Sequence, residues 1–245
     1  MAVGRTLRFA GFELALWTGL YAAYLALRGV AIAAPQEALS NASSLIHIER
    51  AAGFFYELHV QRLFMDLHLE GVVDAYYLLG FGPLTASVLL YLGLRRPEAY
   101  RELQTWLLVA LAIASIGYLL LPTAPPRLVP HLGIADTVGL SSHHDAGSVG
   151  GIPFDPYAAM PSMHVGWSLL VALIVFRVTR RRVVRALLAV HPFLMALTVT
   201  ATGNHYFVDE LAGALVAVAT VSLVAMHIPS RIASFVSPAR PCWHA

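Results

Sequence analysis

The sequence predicts an all-α polytopic membrane bundle, with six transmembrane helices plus an outer amphipathic helix lying at the interface. Three observations carry this expectation. Hydrophobic residues make up 58% of the 245-residue chain and charged residues only 12%, against about half and about a quarter in an average soluble domain. The mean hydropathy is +0.68. Apolar stretches recur at about 20 residues, the length a helix needs to cross hydrocarbon. The chain reads as one domain over residues 1–245, with its motifs concentrated in 121–213.

The expected spans are residues 9–34, 71–94, 103–121, 163–178, 183–203 and 207–228. The first follows Arg5 and Arg8. It is too long, and carries Glu13, Trp17 and Arg28, to be the apolar core of a signal peptide, which runs about 7–15 residues. The second stops at Arg95 and Arg96. The third, LQTWLLVALAIASIGYLLL, holds no charge and ends at Pro122, which cannot continue a helix. The fourth opens on PSMH and is short. The fifth holds His191 before Pro192, read as a packed residue satisfied by a carbonyl freed at the proline kink. The sixth opens at a histidine and an aspartate.

Arginine placement orients the spans. With the N-terminus in the cytoplasm, twelve arginines fall in cytoplasmic segments and three, Arg50, Arg62 and Arg127, in outer ones. Both termini are therefore expected in the cytoplasm. Two outer segments are longer than turns. In 35–70, LIHIERAAGFFYELHVQRLFMDLHL spaces Ile48, Ala51, Phe55 and Leu58 helically among Glu49, Arg50, Glu57, Gln61 and Arg62, the pattern of an interfacial amphipathic helix. Segment 122–160 is rich in Pro, Gly, Ser and His and reads as a structured loop or lid. His143, His144 and Asp145 there, with His131, are metal-ligand types, but a solvated loop is the preferred reading.

Composition excludes several classes. All sixteen basic residues are arginine, so lysine Schiff bases and phosphate-loop lysines are ruled out. A net charge of +2 does not imply a nucleic-acid partner. The lone Cys242 forms no intrachain disulfide, and no zinc pattern is present. No metal and no cofactor is expected.

Polar residues at membrane depth are costly and point to function. Three clusters fall at outer span ends. PTAPPR (122–127) stiffens the exit of the third span and places Arg127 to grip a phosphate bidentately. PSMH (161–164) puts Ser162 at an N-cap and His164 in the first turn of the fourth span, where helix amides and dipole attract an anion. In GNHYFVDELAG (203–213), His205 and Asp209 share a helix face. The carboxylate can take one imidazole proton and raise the basicity of the other nitrogen, leaving it nucleophilic. Topology drawn from arginines alone puts all three clusters on one side.

These clusters, with DPYAAMPSMHVGW (155–167) and HIERAAGFFYE (47–57), resemble the type 2 phosphatidic acid phosphatase superfamily. The resemblance is to its branch containing inositol phosphorylceramide synthases and their bacterial relatives. It implies metal-independent phosphoryl transfer through a phosphohistidine in a bacterial plasma membrane, with the site on the outer side. His205 would attack phosphorus, Asp209 would orient it, and His164 would protonate the leaving oxygen and then activate the acceptor. Arg127, amides near Ser162, and Asn204 would hold the phosphate.

The general family pattern has a lysine seven residues before the arginine and an arginine six before the nucleophile. This sequence has Leu120 and Val199 there. Fewer cations favour a phosphodiester donor over a dianionic monoester. The expected function is thus a lipid phosphotransferase. It would move a phosphoryl or phospho-headgroup, inositol phosphate among the candidates, from a phospholipid donor to a lipid or polyol acceptor. The alternatives are a phosphatase acting on phosphatidic acid or polyprenyl phosphates, and a non-enzymatic lipid-binding or transport protein. Asp155 and Tyr157 are candidates for touching a headgroup or acceptor. Glu57 and Gln61 are candidates for lining the cavity mouth, and Asp74 and Tyr77 have similar standing.

Overall fold

The computed structural model describes residues 11–19, 22, 35–142, 148–149, 152–153 and 157–227. Most of the first expected span, His143, His144, Asp145, Asp155 and Cys242 lie outside the described residues. Residues 11–19 are helical and are labelled α1. Then follow α2 (Pro35–Ala51), α3 (Glu57–Asp66), α4 (Glu70–Gly80), α5 (Gly82–Arg95) and α6 (Pro97–Leu120). A 3-10 turn at Pro126–Leu128 leads to α7 (Thr137–Ser142) and the two-residue antiparallel strands β1 (Ser148–Val149) and β2 (Ile152–Pro153). The chain continues with α8 (Met163–Val178), α9 (Arg182–Ala201) and α10 (Phe207–His227).

The fold is an all-α membrane bundle. Among the described residues, four helical stretches are long and apolar enough to cross a bilayer: Glu70–Arg95, Pro97–Leu120, Arg182–Ala201 and Phe207–Met226. The 16-residue α8 is apolar but shorter. The second expected span is broken at Phe81, where α5 begins with a proline in its first turn; Pro83 has no N–H to carry the helical ladder across. The third begins six residues earlier than expected, at Pro97, because proline suits a first turn and the polar residues after it project from an already formed helix.

Helices α6, α8 and α10 pack around Leu103, Trp106, Leu107, Leu170, Ile174 and Ala217. Small residues bring them close: Ala110 and Ala114 are fully buried, and a Cβ on Gly213 would collide with the Ser162 carbonyl oxygen. Backbone-close packing of this kind is how helices associate when lipid offers no hydrophobic contrast. Here it sets the start of α8 against the start of α10, where the Ser162 N–H donates to the Asp209 carbonyl at 2.9 Å.

The same end of the bundle is tied by backbone bonds. Thr123 N–H donates to Tyr157 O (2.7 Å), Ala159 N–H to Thr123 O (3.2 Å), Ala124 N–H to Ala38 O (3.1 Å) and Arg127 N–H to Gly203 O (3.0 Å). The three polar clusters thus meet at one end. At the other, Arg177 of α8 pairs with Glu102 of α6 at 2.6 Å.

Two expectations need correction. The amphipathic segment 35–70 is not one helix. It is two helices, α2 and α3, and two of its acidic residues turn inward: Glu49 and Glu57 are fully buried and Gln61 nearly so, while Ile48, Leu63 and Met65 are exposed. His191 finds no freed carbonyl; its Nδ1 lies 2.6 Å from the Tyr76 hydroxyl.

Candidate active site

The tight turn between α9 and α10 positions His205. Gly203 enters it at φ +68°, and a side chain there would collide with Ile134 at 2.6 Å. The N–H groups of Asn204 and His205 both donate to Val199 O, at 2.9 and 3.2 Å. Tyr206, fully buried, donates its hydroxyl to Ala124 O at 3.0 Å. That bond fastens the turn to the 122–127 segment, and burial raises the phenol's pKa.

Asp209, in the first turn of α10, lies with Oδ2 3.3 Å from His205 Nδ1. Held as acceptor for the Nδ1 proton, it leaves Nε2 with its lone pair. That Nε2 is 3.1 Å from Nδ1 of His164. Burial, and next the Arg127 guanidinium, push the His205 pKa down to about 3, so the ring is neutral at physiological pH and its lone pair is available. His164 is held by Tyr77 and Phe81, with ring centroids 4.8 and 4.3 Å away. The aromatic walls fix the plane of the second imidazole.

Arg127 sits in the 3-10 turn with its side chain only 5% exposed. Burial lowers its pKa, with Tyr77 and Asp136 opposing. A terminal nitrogen donates to Asn204 Oδ1, and Nε lies 3.7 Å from Asp136 Oδ2. Asn204 Nδ2 is itself engaged with Thr202 Oγ1 at 2.7 Å. Asn204 therefore aims the guanidinium. Ser162 occupies the N-cap position of α8, but its hydroxyl makes no cap bond and has no hydrogen-bond partner among the described residues.

The remaining candidates are placed as follows. Gln61 is buried. Its amide donates to Ala135 O (2.8 Å) and Ala201 O (3.1 Å) and accepts from Ala135 N–H (2.7 Å), clamping the loop that carries Asp136 onto the end of α9. Glu57 likewise faces inward and accepts from Phe207 N–H at 3.2 Å. Asp74 accepts from Thr137 Oγ1 at 2.8 Å. Tyr157 meets the site through its carbonyl, which receives the Thr123 N–H. Leu120 is 75% exposed and Val199 fully buried. The first departure from the family pattern therefore points away from the site, and apolar packing fills the second. Asp136, Phe81 and Glu49 went unnoticed in the sequence as site neighbours. A buried acidic residue in an apolar helix was the available signal only for Glu49.

The site therefore combines two facing imidazoles, a carboxyl behind one, and a buried guanidinium, at one end of an apolar bundle. Comparison with known proteins accounts for that combination. The family model described as the PAP2 superfamily matches residues 43–223, and the chain belongs to that family. This places it among metal-independent enzymes of phosphatase type. The crystal structure of Aquifex aeolicus LpxE shares the fold. Its TM-score is 0.51 at 16% identity, covering 69% of this chain and 94% of that one. No curated protein matches the sequence.

Proposed function

We propose that the protein is a membrane phosphotransferase that moves a phosphoryl or phospho-headgroup unit from a phospholipid to a hydroxyl acceptor through His205. The observation that carries this reading is the 3.1 Å approach of His164 Nδ1 to His205 Nε2, with Asp209 behind the latter. A phosphorus entering between the rings takes the place of that contact. Nε2 bonds to phosphorus as the bond to the departing oxygen breaks, and His164 gives that oxygen a proton. His164 then takes the proton from the acceptor hydroxyl, whose oxygen displaces Nε2. Arg127 neutralises charge on the non-reacting oxygens, where electrostatic stabilisation is largest.

Preference for a diester donor is supported by the charge of the site. Leu120 and Val199 supply no cation, and Asp136 stands beside Arg127, offsetting part of its charge. A dianionic monoester is poorly matched to such a site. The inositol phosphorylceramide synthase-like branch fits this balance, and the distribution of arginines supports a site on the outer face of the membrane.

The test is purified protein with a headgroup-labelled phosphodiester lipid or with labelled phosphatidic acid, each with and without an alcohol-bearing lipid. The expected result is label on the acceptor, and faster turnover of the diester. Rapid phosphate release from phosphatidic acid, with no acceptor product, would replace this reading with a phosphatase.

A further inference from the structure

The helix that carries Asp209 has an unusual cap. Its first residue is Phe207, and the preceding Tyr206 spends its hydroxyl on Ala124. No local side chain serves the opening amides, which a helix leaves without intrahelical partners. Two remote glutamates do so. Glu57 accepts from Phe207 N–H at 3.2 Å, and Glu49 accepts from Val208 N–H at 2.8 Å. These are 150 and 159 residues away in sequence. The two gripped peptide groups lie between His205 and Asp209.

The second oxygens of Glu49 and Glu57 are both buried and meet no donor among the described residues. Gripping adjacent amides sets the two carboxyls side by side, and a proton shared between their unpartnered oxygens would satisfy both. No basic side chain pairs with either among the described residues. Two bare carboxylates beside Asp209 would be strongly repulsive in so dry a place.

We propose that Glu49 and Glu57 form a proton-sharing acid pair that positions His205, by fixing the backbone between the nucleophile and its orienting carboxyl. They are positioning residues, since neither touches the reacting atoms. The kinetic part rests on the phosphohistidine reading; the shared proton does not.

The groups facing Glu49 are Glu57 on α3, Asp209 on α10 and Tyr206 in the preceding turn. Burial first, and then the neighbouring Glu57 carboxyl, hold the Glu49 carboxyl up at about 9 from an ordinary 4.5. A raised acid stabilises the fold fully below the lower value and loses that contribution as pH climbs through the upper one. Turnover should therefore fall as pH rises past about 9.

Infrared spectroscopy and kinetics test the pair together. The wild type should show the C=O stretch of a buried protonated carboxyl at neutral pH, fading on alkalinisation and missing in Glu49→Gln. Glu57→Ala should lower kcat by about 10- to 100-fold, the cost of an ångström-scale misplacement, with KM unchanged. Glu57→Gln, which keeps the acceptor for Phe207 N–H, should restore most of kcat. Glu49→Gln should stay active and lose the alkaline decline. Absence of the carboxyl band overturns the shared proton even in an active enzyme. Wild-type kcat in both Glu49→Ala and Glu57→Ala overturns the positioning role. A wild type with the band but no transfer to any lipid acceptor counts against the phosphohistidine reading and leaves the acid pair standing.

Discussion

Replacing His205 with alanine abolishes lipid phosphoryl transfer, lowering kcat by at least about 10³-fold, as expected when the nucleophile of a covalent mechanism is removed. The size of the effect follows from the geometry. His205 is 5% exposed, its Nδ1 is held by Asp209, and its Nε2 meets His164. The turn itself depends on the backbone of Gly203, Asn204 and His205 and on the Tyr206 hydroxyl, so the variant should fold. The measurement is kcat with the preferred diester, alongside thermal unfolding in detergent to show that the protein is intact. Activity within tenfold of wild type would mean that transfer does not pass through this ring.

The second large effect is at Arg127. Arg127→Ala should lower kcat by about 10²–10³-fold, the usual loss when one preorganised donor to a charged transition state is removed. Arg127→Lys should recover only a small part. An ammonium cannot reproduce the fork that bonds Asn204 while facing an anion, and Asn204 Oδ1 would be left without its donor. Asp136→Asn should act in the opposite sense on substrate choice. With its counter-charge gone, Arg127 should favour dianionic phosphatidic acid more than in wild type. Steady-state kinetics on paired monoester and diester lipids read both effects. An Arg127→Ala variant with wild-type kcat would remove the guanidinium from the chemistry.

Much of this was legible in the amino-acid sequence, for identifiable reasons. Apolar length marks α6, α9 and α10, because bilayer thickness admits few solutions. The clusters at 122–127, 161–164 and 203–213 stood out because polar residues at span ends are expensive, and the structure brings their side chains together. What was not legible depends on contacts between distant segments. Helical periodicity showed that α2 and α3 have two faces. It could not show which face looks inward, since lipid and protein core are both apolar. Tyr76 reaches His191 across 115 residues, and Asp136 reaches Arg127 from a loop without periodicity. Ser162 has the residue type and position of an N-cap, yet its hydroxyl makes no cap bond; a preference of residue type does not specify a rotamer.

The central claim is that two imidazoles address one phosphorus, with the covalent bond on His205. The most direct measurement uses His164→Ala and a chromogenic phosphodiester bearing a nitrophenolate leaving group, which departs without needing a proton. The first half-reaction should then proceed while the second, lacking its base, is slow. An acid-labile, base-stable adduct should accumulate and be located on His205 by fragmentation mass spectrometry. An adduct on any other residue, or a burst of nitrophenol with no adduct at all, would contradict the account.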